Sequence, residues 1–120
     1  GQRIVTLLGC GGDRDRGKRP EMGRIATAMS DFVILTSDNP RSEEPQAILR
    51  DMLGGVGAAD NYIVIEDRRE AIEYAVANAL AGDIILLVGK GHEQYEIDKD
   101  GLHPFSETEI VQNAAEKYGR

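Results

Sequence analysis

The chain has 120 residues, enough for one domain with a single core, and its 21 acidic against 14 basic side chains give a formal charge of -7. That charge argues against general binding to nucleic acid or to a membrane surface, since both are anionic. The single cysteine, Cys10, excludes an intrachain disulfide and a cysteine-rich metal site and fits a reducing compartment; no run approaches the roughly 20 apolar residues of a membrane span, the start lacks a signal-peptide layout, and the chain reads as cytoplasmic.

Short runs rich in Ile, Val and Leu alternate with segments of helical period, which predicts crossover units on a mostly parallel sheet. The first strand is expected over Ile4 to Leu8, opening into Gly9-Cys10-Gly11-Gly12-Asp13-Arg14-Asp15. Glycines after a strand let the backbone approach a ligand, and the Asp and Arg residues that follow suit a ribose hydroxyl and an anionic group. Arg14, Arg16, Lys18, Arg19 and Arg24 form a basic patch on an acidic body, which favours a small anion. The spacing is neither G-x-G-x-x-G nor G-x-x-x-x-G-K-[ST], because Gly12 leads to Gly17-Lys18-Arg19 with no hydroxyl for magnesium. By itself this loop fits either an anion site or a solvated stretch whose charges pair with one another.

A helix is expected over Pro20 to Met29 and a second strand over Phe32 to Thr36, followed by Ser37-Asp38-Asn39-Pro40-Arg41-Ser42. Arg is the side chain best suited to grip a carboxylate through two parallel hydrogen bonds, and Asn supplies a donor and an acceptor. The same residues also read as a turn, with Ser42 capping the next helix, and both readings can hold together. That helix is expected over Glu44 to Leu53 with Pro45 in its first turn, as Pro20 suits the first turn of its own helix.

A strand follows over Tyr62 to Ile65, then a helix over Arg69 to Leu80 with Ile72, Ala75, Val76, Ala79 and Leu80 on one core-facing stripe, then a strand over Ile84 to Val88. The near-continuous apolarity of the strands predicts burial on both faces. The last strand opens into Gly89-Lys90-Gly91-His92-Glu93, where Glu93 suits an ammonium, Lys90 an anion, and His92 either a base or a structural hydrogen bond. Gln94 to Ile97 and Leu102 to Phe105 flank the hairpin signal Asp98-Lys99-Asp100-Gly101, His103 reads as structural, and Ser106 with Glu109 resembles a capping box opening a final helix over Glu107 to Lys117. With two histidines and no Glu-x-x-His pair, no metal site is expected. The fold class is therefore α/β: three-layer α/β/α, Rossmann-like, mostly parallel, with a short C-terminal hairpin.

Polar loops at the carboxyl ends of buried strands are where open α/β sheets bind ligands. Arg14, Arg41 and Lys90 as cations with Asp13 and Glu93 as anions fit a ligand carrying charges of both signs, such as an amino acid with more than one carboxylate.

Gly9 to Pro20, Ser37-Asp38-Asn39-Pro40-Arg41 with Glu44-Pro45, and Gly89-Lys90-Gly91-His92-Glu93, in this order and at these distances, resemble the C-terminal domain of the Mur ligases, and within that family the diaminopimelate-adding branch. The resemblance covers essentially the whole chain. It implies a part of an ATP-dependent, amide-forming ligase of peptidoglycan precursor synthesis, in which this domain selects the incoming amino acid and closes over the nucleotide. Carried over by motif, Arg41 and Asn39 would hold the distal carboxylate of meso-diaminopimelate, Gly89 and Glu93 its distal ammonium end, and Arg14 its other carboxylate. Asp13 and Lys18 would face ATP. Lysine-adding relatives resemble the second loop without the Arg at position 41. The family places the P-loop, the Mg2+ carboxylates and the site for the UDP-muramoyl dipeptide on two preceding domains, so the chain is expected to be one domain of a three-domain enzyme, to lack an edge of its sheet, and to be inactive alone. The competing readings are a non-catalytic module that binds a small ligand and a folylpolyglutamate-synthetase-like ligase domain.

Overall fold

A computed structural model describes residues 3–12, 17–88, 95–104 and 106–119. Its elements run β1 (Ile4–Cys10), α1 (Lys18–Met29), β2 (Phe32–Ser37), α2 (Pro45–Leu53), β3 (Tyr62–Val64), α3 (Arg68–Ala77), β4 (Ile84–Val88), β5 (Tyr95–Asp98), β6 (Gly101–Pro104) and α4 (Glu107–Tyr118). The first four strands form one parallel sheet in the order β3-β2-β1-β4, and β5 and β6 form a separate antiparallel pair. The fold is the expected three-layer α/β/α arrangement.

Alternation along the strands separates two cores. Val5 and Leu7 of β1 and Ile34 of β2 pack with Ala71, Ile72 and Ala75 of α3 and Ile110 of α4 on one face. Leu8, Cys10, Val33 and Leu35 pack with Ile48, Leu49 and Met52 of α2 on the other, where α1 also lies. Leu7 and Ile34 are register partners at the centre of the sheet and fully buried; truncating either to Ala costs about 3 kcal/mol.

Burial on both faces holds for β1 and β2 and fails for β4 and for β3, the strand at the opposite edge, where no residue is fully buried and Val64 is 41% exposed. Ile84, Leu86 and Val88 are 39%, 44% and 37% exposed, whereas Ile85 and Leu87 pack against the α3 and α4 core. The reason is position: β4 is an edge strand, and α1 and α2 pack over β1 and β2 on that face.

Helix ends follow local chemistry. Asp67 caps α3 by accepting from the Glu70 N–H at 3.2 Å, and Ser106 caps α4 by accepting from the Glu109 N–H at 3.3 Å. Helix α3 stops at Ala77, short of the expected Leu80. Asn78 leaves helical geometry, and the Leu80 N–H is taken by Asp83 Oδ2 at 2.9 Å, so Leu80 turns outward instead of extending the stripe. The hairpin is shifted by one residue toward its turn relative to expectation, with Gly101 at φ +119° closing it; Gln94 and Phe105 lie outside the described residues. Among the described residues no helix is long and apolar enough to cross a membrane.

At the amino ends of the strands Asp83 accepts from Arg3 Nη2 at 2.8 Å and Nε at 3.2 Å, tying the start of β4 to the start of β1. Arg3 and the Leu80 N–H hold the Asp83 carboxyl below its ordinary value of 3.8. A depressed carboxyl adds stability above its unfolded pKa and loses it as pH falls through the lower folded value. The urea midpoint gap between wild type and Asp83→Asn is therefore expected to be constant from about pH 5 to 8 and to shrink below about pH 4; a gap that persists at low pH contradicts the pairing.

Candidate functional site

Strand order fixes where a ligand fits. The chain leaves β1 for β2 and β3 on one side, then returns over α3 to β4 on the other, so the direction of winding reverses at β1. Ligands of open α/β sheets bind at the carboxyl ends of strands beside such a reversal. The carboxyl ends of β1, β2 and β4 all lie at this edge.

The first two loops are stitched together. The Gly12 N–H donates to Asn39 O at 2.9 Å, and Arg41 Nη1 donates to Gly12 O at 3.0 Å and to Asn39 O at 3.3 Å. The approach is too close for a side chain: a Cβ on Gly12 would lie 1.7 Å from Pro40 O. Asn39 at φ +43° and Arg41 at φ +55° both adopt the left-handed region, at about 1 kcal/mol each for L-residues. Such backbone concentrates at ligand sites, where the surroundings over-determine it. It also displaces the expected cap. The Glu43 N–H bonds to Pro40 O at 3.0 Å, the N-cap of α2 is Glu44 without a side-chain bond, and Ser42 lies ahead of the capping position.

Two further guanidinium groups underlie this edge, both almost fully buried. Arg19, in the first turn of α1, donates to Glu43 Oε1 at 2.8 Å, Glu43 Oε2 at 3.0 Å, Asp51 Oδ2 at 2.9 Å and Gly11 O at 3.1 Å. Its hydrogen bonds to Glu43 and then to Asp51 raise its pKa further against the opposing effect of burial. Arg68, the first residue of α3, donates to Glu107 Oε2 at 2.6 Å, Val88 O at 3.2 Å and Ser37 O at 3.4 Å.

This corrects the reading of the basic patch. Arg19 is neutralised inside the fold and is not offered to an anion; Lys18 and Arg24 are exposed, and Arg14 and Arg16 lie outside the described residues. Of the remaining expected site residues, Asn39 is buried and Arg41 half-buried at the mouth between the first two loops, while Asp13, Gly89, Lys90, His92 and Glu93 lie outside the described residues. Sequence reasoning missed Arg19 and Arg68 as structural groups. A signal was present: both stand in the first turn of a helix, where the macrodipole disfavours a cation unless something else holds it.

Cys10 ends β1 beside this site with its thiol 3.7 Å from Met22 Sδ. Burial pushes the thiol up to about 11, outweighing the opposing effect of Arg19, so it is not a nucleophile near neutrality. Among the described residues no three His, Cys, Asp or Glu side chains gather to hold a metal ion.

A family model described as "Mur ligase, glutamate ligase domain" matches residues 1–91. The chain belongs to the Mur ligase family. It is 51% identical over 115 residues to UDP-N-acetylmuramoyl-L-alanyl-D-glutamate--2,6-diaminopimelate ligase of Clostridium tetani, covering 96% of this chain and 24% of that protein. The ligase of the same name from Chromobacterium violaceum is 49% identical over 120 residues, again covering 24% of its length. A solved structure titled with that ligase name superposes on 100% of this Mur ligase chain with a TM-score of 0.93 at 42% identity, over 25% of its own length. The chain thus spans about a quarter of the length of the relatives it matches.

Two measurements check the site's framework. Arg19→Met leaves Glu43 and Asp51 without their cation and is expected to cost about 3 kcal/mol in urea unfolding; a loss below about 1 kcal/mol, the range of surface pairs, contradicts the buried bridge. Native Cys10 is expected to react with a thiol reagent at pH 8 only as fast as the protein opens, with the rate rising steeply in denaturant. Labelling at the rate of a free thiol contradicts its burial.

Proposed function

We propose that this chain is the amino-acid-selecting C-terminal domain of an ATP-dependent ligase that joins meso-diaminopimelate to UDP-N-acetylmuramoyl-L-alanyl-D-glutamate in the cytoplasm. In that reaction ATP phosphorylates the D-glutamate carboxylate, the amine of diaminopimelate attacks the acyl phosphate, and the tetrahedral intermediate collapses to the amide with loss of phosphate. The part assigned to this chain is recognition and orientation. Among the described residues no carboxylate cluster fits Mg2+. The UDP-muramoyl dipeptide, and the main contacts of ATP and Mg2+, belong to the rest of the longer protein.

One observation carries the reading. Among the described residues three guanidinium groups surround the carboxyl edge of the sheet; two bind carboxylates, while the third, Arg41, binds the carbonyls of Gly12 and Asn39. Carbonyl contacts aim a guanidinium without cancelling its charge. Arg41 is therefore a fixed cation at the mouth of the site, matched by its fork of donors to the distal carboxylate of diaminopimelate, with Asn39 beside it. Lysine lacks that carboxylate and would leave the guanidinium desolvated and unpaired, the situation in which a polar site discriminates by roughly 10⁴ or more. Gly89 and Glu93 are assigned to the distal ammonium end, Arg14 to the second carboxylate, and Asp13 and Lys18 to ATP. The exposed position of Lys18 at the start of α1 suits a phosphate near a helix N-terminus.

In the full-length enzyme Arg41→Ala is expected to raise the meso-diaminopimelate KM by about a hundredfold, the loss of about 3 kcal/mol of charge-assisted bonding, with the ATP KM little changed. An unaltered diaminopimelate KM removes the assignment. The 120 residues alone are expected neither to hydrolyse ATP nor to form the amide, and amide synthesis by the purified chain would overturn the division of labour between domains.

A further inference from the structure

Arg68 spans the sheet edge from one flanking strand to the other. Its Nη1 reaches Ser37 O at the end of β2 and its Nη2 reaches Val88 O at the end of β4, with β1 lying between them. The guanidinium passes the central strand at Gly9, where a Cβ would stand 2.9 Å from Arg68 Nη1 and 2.8 Å from Asp38 Cβ. Glycine at position 9 thus leaves the room that the guanidinium occupies. On its far side Nε is anchored to Glu107 Oε2 at 2.6 Å, and Glu107 is the first residue of α4. One planar, 1% exposed group therefore fixes the ends of β2 and β4 relative to each other and to a helix.

Charge neutralisation alone does not call for this arrangement. A lysine could pair with Glu107, but a point donor on a flexible stem cannot hold two carbonyls on separate strands in one plane while doing so. Ser37 O is one residue before Asp38 and two before Asn39, so the bond acts at the root of the loop that carries Arg41. Backbone groups that no strand partner takes at the end of a sheet are otherwise left to water.

We infer that Arg68 is a positioning residue for amino-acid binding: it sets the end of β2 against the end of β4, and through it the placement of Asn39 and Arg41. This rests on the reading of Arg41 given above. In this role Arg68 acts through the end of β2 and not by holding the amino acid itself. Because geometry at a binding site is worth up to about a hundredfold per ångström, a small shift of the β2 terminus is felt in recognition before it is felt in folding.

The test uses the full-length ligase with three variants: Arg68→Lys, Arg68→Met and, as a control, Arg41→Ala. Arg68→Lys keeps the cation beside Glu107 and preserves the fold. It is expected to raise the meso-diaminopimelate KM by about tenfold or more, to relax discrimination against lysine, and to leave the ATP KM within about twofold. Arg68→Met is expected to do the same more strongly if it folds, and the lysine variant decides the matter if it does not. Equal changes in the KM values of diaminopimelate and ATP, or no change in either, mean that Arg68 is merely structural and overturn the inference. If Arg41→Ala leaves the diaminopimelate KM unchanged, the underlying reading of the site fails, and that arm identifies the cause.

Discussion

Two buried guanidinium groups hold the carboxyl edge of this sheet from opposite faces. Arg19 works on the α1 and α2 side, joining the exit of β1 at Gly11 to Glu43 in the second loop and to Asp51 of α2. Arg68 works on the α3 and α4 side, joining the ends of β2 and β4 to Glu107. Loops at a sheet edge carry unpaired backbone groups and little apolar surface, so neither the hydrophobic effect nor the ladder fixes them. Here ionic and carbonyl contacts do that work, in a setting dry enough for a broken pair to be costly.

With both pins satisfied by carboxylates, a third, half-buried guanidinium is held without one among the described residues. Arg41 takes its geometry from two carbonyls and from a left-handed backbone shared with Asn39, and Gly12 permits the close approach that brings those carbonyls within reach. The strain is small beside the stability of a domain and is compensated by the hydrogen bonds around it. Among the described residues the fold pairs Arg19 and Arg68 with carboxylates and holds Arg41 through carbonyls, and the proposed function rests on that difference.

Much of the fold was legible in the residues. Apolar runs of strand length alternating with helical period gave the parallel sheet and its flanking helices to within a few residues, because those elements are set by local chemistry and by burial of Leu7, Ile34, Ile72 and their neighbours. Asp67 and Ser106 marked helix starts through their own hydrogen bonds. The errors were those of context. The exposed face of β4 follows from its place at the edge, and the early end of α3 from a side chain, Asp83, that competes for a backbone N–H. Ser42 looked like a cap because Asn39 and Arg41 were not expected at positive φ. Charge was the least legible property of all: Arg19 counted toward an anion-binding patch because nothing local says that Glu43 and Asp51, 24 and 32 positions away, neutralise it.

The most direct test of the central claim is a crystal structure of the full-length protein with meso-diaminopimelate bound. The account predicts the distal carboxylate within about 3 Å of the Arg41 guanidinium, with Arg19 still on Glu43 and Asp51 and Arg68 still on Glu107. A carboxylate bound elsewhere, or one received by Arg19 or Arg68 after release of its own partner, would contradict it.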